Sequence, residues 1–211
     1  HGRGEAFDYL LGERTTESAA RAARQALATL QAADRPVLSI NGNVAALACD
    51  EMLQLADHLS CPVEVNIFYR TPERMEAILN HMNERKLALG LEVPVLGHAP
   101  DALIPGLKGP RAACHREGIL ESDVILVPLE DGDRCNALVA MGKTVIVIDL
   151  NPLSRSAQQG SITIVDELSR ALNTMLGIAA EEGHLAIDAS YDHQAVLNEG
   201  LAAVLSGLKK P

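Results

Sequence analysis

Six short apolar runs recur along the chain, and polar segments with helical spacing separate them. The runs are rich in Val, Ile and Leu, and they occupy residues 36–40, 63–67, 93–96, 123–127, 144–148 and 161–165. Continuous apolar runs of this length are typical of strands that are buried on both faces, as in a parallel sheet. The pattern therefore predicts a sheet of six strands.

Amphipathic helices are predicted between these strands, at about residues 15–33, 44–59, 71–88, 134–142 and 167–177. Thr71-Pro72-Glu73 is a clear start signal, with Thr as the cap, Pro at the first helical position and an acid in the first turn. Because strands alternate with helices, the crossovers should be right-handed and the sheet mostly parallel. The prediction is an α/β fold with a layer of helices on each face of the sheet.

Two segments depart from this alternation. Residues 97–118 are too long for a plain connection, so we expect either a functional loop or a small insertion there. After about residue 179 the periodicity weakens, and it returns in 194–208, which predicts a terminal helix that docks on the body or on another subunit. We therefore expect a main domain over residues 1–178 and a C-terminal helical extension over 179–211.

Composition and charge narrow the class of protein. The net charge is -10, from 18 basic and 28 acidic residues, which disfavours nucleic acid or an anionic membrane as the main partner. No apolar run is long enough to span a membrane and no secretory signal opens the chain, so we expect a cytoplasmic protein. The four cysteines form no CxxC pair, which argues against a disulfide framework and a closed zinc site.

Polar clusters follow five of the predicted strands, at residues 41–43, 66–70, 129–134, 149–156 and 165–168. In an open parallel sheet, ligands bind at the carboxyl ends of the strands, where the strand order reverses. Asn and Asp can instead make turns and cap helices, which explains any single loop equally well. That alternative is weak for five loops at one edge, so we predict a ligand site there.

The residue types in these loops suit anionic ligands. Arg70, Arg134 and Arg155 each follow a strand, and a guanidinium group binds carboxylate or phosphate with two hydrogen bonds. Each arginine could instead pair with a neighbouring acid, for example Arg134 with Asp131 or Asp133. These two carboxylates could hold Mg²⁺ or cap the helix at 134–142. Neither a GxxxxGK[ST] loop nor a GxGxxG fingerprint is present, so a standard nucleotide loop is not indicated.

Longer motifs carry a resemblance to a known family. HGRGEAFDYLLGERTT, PVLSINGNVAAL, VEVNIFYRT, DVILVPLEDGDR, ALVAMGKTVIVIDLNPLSRSA and ITIVDELSRA occur in colinear order over roughly residues 1–177. Together they resemble the archaeal phosphopantothenate synthetases, the ATP-dependent 4-phosphopantoate–β-alanine ligases of coenzyme A synthesis. The resemblance implies a Rossmann-like three-layer sandwich and a homodimer that uses ATP and Mg²⁺. It also implies an additional N-terminal segment ahead of HGRGEAF, which we expect to be missing from this chain.

The resemblance also implies a set of nucleotide contacts, which fall on Arg3, Asp149, Leu150, Asn151, Arg155, Ser156, Glu167 and Leu168. Position in the loops, rather than resemblance, assigns Asn43, Arg70 and Arg134 to 4-phosphopantoate, and Asp131 or Asp133 to Mg²⁺. The candidate catalytic residues, which would position the anions and stabilise developing charge, are Arg70, Asp131, Arg134 and Arg155.

By the same resemblance, the substrate carboxylate attacks the α-phosphorus of ATP. The reaction then passes through an acyl-adenylate, releases AMP and pyrophosphate, and joins the acyl group to β-alanine. One alternative is a ligase or kinase on the same fold that cleaves at the γ-phosphorus. Another is a nucleotide-binding protein without catalytic activity.

Overall fold

The computed structural model describes residues 2–208, with side chains from residue 4 onward. The strands of the central sheet are β1 (Pro36–Ile40), β2 (Val63–Val65), β3 (Val95–Leu96), β6 (Val124–Pro128), β7 (Thr144–Ile148) and β8 (Ile162–Ile164). A separate two-stranded ribbon pairs β4 (Ala102–Leu103) antiparallel with β5 (Ala113–Cys114). All six predicted strands are therefore confirmed.

Helices fill the connections. They are α1 (Gly2–Leu11), α2 (Glu17–Gln31), α3 (Gly42–Leu47), α4 (Cys49–His58), α5 (Pro72–Leu89), α6 (Gly132–Ala140), α7 (Arg155–Gln159), α8 (Leu168–Glu182) and α9 (His193–Gly207). The start signal of α5 is confirmed, because the Thr71 side chain accepts a hydrogen bond from the Arg74 N–H and Pro72 opens the helix. Gly90 ends it in the left-handed conformation, with a φ of 68°.

The sheet is fully parallel, in the order β3-β2-β1-β6-β7-β8. The chain runs outward from β1 to β3, returns to the other side of β1, and then runs outward again to β8. The strand order thus reverses between β1 and β6, which is where ligands bind in such sheets. Alternate side chains of each strand enter two different cores, so both faces of the sheet are covered.

Each face of the sheet packs against its own layer. Leu38, Leu126 and Ile146 point to the face that α2, α4, α5 and α8 cover. Val37, Ile125 and Val145 point to the opposite face, where α6 and the segment around the β4–β5 ribbon cover them. This arrangement confirms the predicted three-layer α/β fold with a Rossmann-like strand order.

Some boundaries differ from the predictions. The helix predicted at 44–59 is split into α3 and α4, since the backbone of Ala48 leaves the helical region with φ -149° and ψ 39°. Sequence periodicity did not predict α1, and α8 continues past residue 177 to Glu182. No helix among the residues that the structure describes is long and apolar enough to cross a membrane.

The long segment 97–118 contains the β4–β5 ribbon, which is a small insertion with short helical turns at Pro110–Ala112 and Arg116–Leu120. Ile104 and Cys114 of this segment, and Ile119 directly after it, are almost completely buried against the second face of the sheet. The insertion is therefore part of the core rather than a free loop.

The terminal helix is also confirmed, as α9, and it packs on α1, α2 and β8. Val196, Leu197 and Val204 bury the inner side of α9. The predicted boundary at residue 178 lies inside α8. The division into a main domain and an extension stays a prediction.

The contact between α9 and α1 generates a test, because a Cβ atom on Gly207 would collide with the carbonyl oxygen of Leu10. We expect Gly207→Ala to destabilise the protein by about 1–3 kcal/mol, as overpacking typically does. Gly177→Ala on α8 is the matched control, since nothing lies within 4 Å of its Cβ position. Alanine there should stabilise slightly, by up to about 1 kcal/mol. Urea denaturation measures both, and equal midpoints would contradict the close packing.

Candidate active site

The loops that follow β1 and β6 are tied together by Asn41. Its Oδ1 accepts hydrogen bonds from the N–H groups of Asn43 and Val44, at 3.0 and 3.1 Å, and so caps α3. Its Nδ2 donates to the carbonyl oxygens of Pro128 and Leu129, at 2.9 and 3.2 Å. Asn41 is 5% exposed, so one buried amide fixes both sides of the point where the strand order reverses.

The β6 loop begins with an unusual backbone conformation. Leu129 has a φ of 51°, in the left-handed region that an L side chain rarely adopts. Its N–H donates to the Ile148 carbonyl at 3.0 Å, and its own carbonyl accepts from Asn41, so both sides of the residue are held. Backbone strain of this kind costs about 1–3 kcal/mol and often marks a functional site. Here it turns Glu130 inward.

Glu130 lies between two arginines below the surface of the site. One carboxylate oxygen accepts from Arg134 Nη1 at 2.5 Å, and the other forms an ion pair with Arg111. The side chains of Glu130 and Arg134 are 1% and 0% exposed, and Arg134 also donates to Ser39 Oγ at 3.1 Å. Burial lowers the pKa of Arg134, and its Nε has no hydrogen-bond partner. This network joins α6, β1 and the 97–118 segment.

Asp131 connects the network to the surface. Its Oδ1 accepts the N–H of Arg134 at 2.9 Å and so caps α6, while its Oδ2 accepts from Arg111 at 2.7 Å. Burial alone would raise the pKa of Asp131, but these hydrogen bonds and the charge of Arg111 outweigh it, and the pKa is lowered. Asp131 is therefore held in its ionised form.

The end of β2 holds the 97–118 segment in place. Glu64, which is 1% exposed, accepts the N–H groups of His115 and Ile119 at 2.9 and 2.8 Å. Burial raises the pKa of Glu64 to about 7, against the opposing effect of these hydrogen bonds. Asn66 donates to the carbonyls of Arg111 and Ala113. These contacts fix the backbone that carries Arg111.

Arg70 has a similar anchoring contact. Its guanidinium donates to the Gly97 carbonyl at 2.6 Å, at the start of the same segment. Burial lowers the pKa of Arg70, although the nearby charge of Glu64 opposes this shift.

The β7 loop folds around Asp149. Its Oδ1 accepts the N–H of Asn151 at 2.9 Å, and its Oδ2 accepts the hydroxyls of Ser154 and Ser156, at 2.5 and 3.0 Å. Leu150 is 9% exposed and packs beneath the loop. The resemblance implies nucleotide contacts here, and the structure places these residues together at the end of β7.

Arg155 projects from the start of α7 and lies across the start of α6. Its Nη1 donates to Asp133 Oδ1 at 2.8 Å, with side chains that are 69% and 75% exposed. A Cβ on Gly132 would lie 2.5 Å from the Cβ of Arg155, so only glycine permits this close approach. Unlike Arg134, Arg155 faces solvent, so water screens its ion pair with Asp133.

Glu167 ends the β8 loop as the cap of α8, and its carboxylate accepts the N–H groups of Ser169 and Arg170, each at 3.0 Å. Leu168 is buried beside it. Asp166 accepts from Thr15 at 2.6 Å and from Arg170, which also pairs with Asp8 of α1. The N-terminal helix is thereby anchored at the same edge as the loops that follow β7 and β8, which we call the nucleotide loops because the resemblance implies nucleotide contacts there. The side chain of Arg3, also predicted to contact nucleotide, lies outside the described residues.

Two clefts open above this edge. The smaller, of about 240 Å³, lies over the ends of β1, β2 and β6, and its lining residues are Asn41, Gly42, Asn43, Ile67, Phe68, Tyr69, Arg74, Arg111 and Leu129. None of these is acidic. The larger, of about 700 Å³, lies between α6 and the 97–118 segment, and Lys108, Asp131, Asp133 and Asn136 are among its lining residues. Phe68 and Arg111 line both clefts.

The structure separates the residues predicted for 4-phosphopantoate. Asn43 lines the smaller cleft, Arg70 is half-buried against Gly97, and Arg134 is fully buried. The alternative for each arginine was an ion pair with a neighbouring acid. Arg134 does form such a pair, but its partner is Glu130 rather than Asp131 or Asp133. Asp131, not Asp133, caps α6. Direct contact of Arg70 or Arg134 with substrate stays a prediction.

Two arginines of the smaller cleft were missed in the sequence. Arg111 lies in the irregular segment 97–118. The residues next to it in the sequence did not indicate that it pairs with Glu130, which is 19 residues away. Arg74 is in the first turn of α5, directly after the motif VEVNIFYRT, and its position beside a polar loop was a signal that could have found it.

Asp131 and Asp133 were the predicted magnesium ligands. Both oxygens of Asp131 are engaged, whereas Asp133 has one oxygen bound to Arg155 and is well exposed. Within the described part of the chain, no group of three or more His, Cys, Asp or Glu side chains could hold a metal ion. The residues fit a Mg²⁺ ion whose other ligands are phosphate oxygens and water, with Asp133 as the available carboxylate.

The fold and these clefts define an α/β protein with a small-molecule site at the carboxyl edge of its sheet. A family model described as phosphopantothenate/pantothenate synthetase matches residues 18–206. The chain belongs to this family, which confirms the resemblance in the sequence.

Three curated relatives are each named 4-phosphopantoate–beta-alanine ligase. That of Thermococcus onnurineus is 49% identical over 100% of this chain and 81% of its own length. That of Thermococcus kodakarensis is 47% identical over 100% and 81%, and that of Methanosarcina mazei is 47% identical over 99% and 82%. A solved universal stress protein in complex with cAMP aligns with 56% of this chain and 98% of its own, at 19% identity and a TM-score of 0.32, too low to support an argument.

The buried network predicts that Glu130→Gln is strongly destabilising. The variant removes the carboxylate that pairs directly with the buried charge of Arg134, and the loss of one partner of a buried pair typically costs about 3–5 kcal/mol. Asp133→Asn, which breaks the exposed pair with Arg155, is the control and should stay close to wild type. Urea denaturation followed by circular dichroism gives both free energies of unfolding. Equal values for the two variants would contradict a buried, interdependent network.

Proposed function

We propose that this protein condenses 4-phosphopantoate with β-alanine to 4'-phosphopantothenate, with ATP as co-substrate, as the step of coenzyme A synthesis that its relatives' names describe. It is a ligase that forms a carbon–nitrogen bond, as expected for this family. The observation that carries the choice of substrate is the smaller cleft, which has two arginines, two asparagines and an apolar wall but no carboxylate among its lining residues.

The chemistry of 4-phosphopantoate matches this lining part by part. The molecule has a phosphate at one end, a carboxylate at the other, a hydroxyl group and a pair of methyl groups between them. Arginines suit the two anionic ends, and the side-chain amide of Asn43 suits the hydroxyl. Ile67, Phe68 and Leu129 offer an apolar surface to the methyl groups. Without such local positive charge, a chain of net charge -10 would repel this substrate.

ATP would bind beside this cleft, across the ends of β7 and β8. The supporting features are the Asp149–Ser156 loop, the exposed guanidinium of Arg155 and the start of α8 at Glu167 and Leu168. Arg155 would leave Asp133 for the triphosphate, and Asp133 would then be available for a Mg²⁺ ion that the phosphates carry. When bound, that ion offsets phosphate charge.

Activation of the carboxylate is the first chemical step in this proposal. A carboxylate oxygen attacks the α-phosphorus of ATP, an O–P bond forms, and the bond to the pyrophosphate breaks. We assign Arg111 to the orientation of the carboxylate, because Glu130 and Asp131 hold its guanidinium at the β6 loop, and β6 is the neighbour of β7 in the sheet. Arg155 would stabilise the charge that develops on the phosphates. Arg134 acts as a positioning residue through Glu130.

Amide formation follows. The neutral amine of β-alanine attacks the acyl carbonyl, the C–N bond forms, the amine loses a proton, and AMP leaves with the oxygen that came from the carboxylate. The larger cleft adjoins the smaller one at Phe68 and Arg111, and we assign it to the entry of β-alanine. Lys108 is the cation of that cleft that suits its carboxylate. A homodimer, which the resemblance implies, stays a prediction.

The direct test incubates the protein with ATP, Mg²⁺, 4-phosphopantoate and β-alanine and analyses every product. We expect one 4'-phosphopantothenate, one AMP and one pyrophosphate per turnover. ADP and orthophosphate in place of AMP would favour a ligase or kinase that cleaves at the γ-phosphorus. ATP binding without turnover would instead favour a nucleotide-binding protein without catalytic activity.

Arg155→Ala tests the nucleotide side of the site. Loss of one donor that stabilises charge in the transition state typically reduces kcat by about 100-fold or more. Arg35→Ala is a matched control, since Arg35 is similarly exposed and forms a similar ion pair with Glu121 at 2.8 Å. It precedes β1, at the opposite edge of the sheet. AMP formation by Arg155→Ala at the wild-type rate would contradict this role, and Arg35→Ala should match wild type.

A further inference from the structure

Arg74 is the one arginine of the smaller cleft whose charge is not shared with an acid among the residues that the structure describes. It belongs to α5 and is exposed, and its guanidinium lies 6.0 Å from the centre of the Tyr69 ring. Arg111, by contrast, pairs with both Glu130 and Asp131. The two cations of the cleft therefore differ. Arg111 shares its charge with two carboxylates, whereas Arg74 offers its full charge to a ligand.

The guanidinium of Arg74 lies close to the backbone of Gly42. A Cβ atom at Gly42 would lie 2.8 Å from Arg74 Nη2, closer than real Cβ contacts allow. The absence of a side chain at Gly42 lets the guanidinium lie directly over the β1 loop. Tyr69 limits its movement on another side through a cation–π contact. Arg74 therefore lies between the β1 loop and the Tyr69 ring, where it lines the smaller cleft.

The order of the strands sets the order of the arginines along the edge of the sheet. Arg74 follows β2, Arg111 contacts the β6 loop, and Arg155 follows β7. In the sheet these strands lie in the order β2-β1-β6-β7, so Arg111 lies between Arg74 and the nucleotide loops. The carboxylate must face the α-phosphorus, so it belongs at Arg111. The other end of the substrate then reaches Arg74.

We propose that Arg74 recognises the phosphate of 4-phosphopantoate and is the residue by which this ligase prefers the phosphorylated acid over pantoate. This inference rests on the proposed function and adds the orientation of the substrate and the source of its specificity. A phosphate carries up to two charges and is not consumed, so an unneutralised guanidinium suits it. The carboxylate must be able to react, so a cation whose charge is already shared suits it better.

The test compares two ligands, 4-phosphopantoate and pantoate, on three proteins: wild type, Arg74→Ala and Arg85→Ala. Arg85 is the matched control because it lies on the same helix, α5, and pairs with Asp50 away from the cleft. Isothermal titration calorimetry gives each Kd without requiring turnover, and KM and kcat for 4-phosphopantoate are measured alongside.

We expect Arg74→Ala to weaken the binding of 4-phosphopantoate by about 10- to 100-fold, the usual loss for one charge-assisted contact. Its Kd for pantoate should stay within about 3-fold of wild type by the same reasoning, since pantoate has no group for Arg74. The loss should appear in KM more than in kcat. Gly42→Ala, which displaces the guanidinium and keeps its charge, should cause a smaller loss in the same direction.

Equal weakening of both ligands would overturn the inference, because it would place Arg74 on the carboxylate or in the fold. No weakening of either, or the same loss in Arg85→Ala, would overturn it as well. Failure of the proposed function is a different result: wild type then makes no amide product. The calorimetric comparison still decides whether Arg74 distinguishes the two acids, and a wild-type protein that binds neither acid overturns both.

Discussion

The arrangement of the site depends on one buried carboxylate, that of Glu130, held between Arg111 and Arg134. Removing three charged groups from water is unfavourable, and a buried ion pair adds little net stability when the whole pair is compared with apolar side chains. The buried network instead favours one particular arrangement of the surrounding elements, because each charge can be buried only while its partners are in place. The network therefore sets the positions of α6, the end of β1 and the 97–118 segment relative to one another.

The constraint extends outward from Glu130 through shared atoms. Asp131 caps α6 and also accepts from Arg111, so the start of the helix and the wall of the cleft are positioned together. Asn41 does the same between β1 and β6. From the sequence, helix capping and ligand binding were alternative roles for Asn and Asp. In this protein, the residues that cap helices also position the other polar groups of the site. A residue that caps a helix at the carboxyl edge of a sheet can thus belong to the site without touching the ligand.

The fold could be predicted from the sequence because its signals are local. Each strand is a short β-branched run, and the start of α5 at Thr71 and Pro72 follows from neighbouring residues alone. The break at Ala48 was missed because alanine itself and the preceding Ala46 and Leu47 are good helix formers. Within the site, an acidic partner for Arg134 was predicted as an alternative, but Glu130 lies outside α6, so the helical spacing rule did not single it out. The role of Arg111 was not predictable, since its partners lie on another element and depend on how the insertion packs.

Charge distribution explains how an acidic chain can hold anions. Most of the arginines that the structure describes pair with a carboxylate, as Arg21, Arg24 and Arg35 do on the surface, and such pairs contribute little positive potential. At the carboxyl edge the pairs differ in strength. Arg134 is locked by burial, Arg111 is shared, Arg155 has an exposed partner that solvent screens, and Arg74 has none among the described residues. In the proposed function, the positive charge that a ligand meets therefore depends on which arginines can exchange their partners, and this, rather than the net charge, would let one edge of the sheet bind anions.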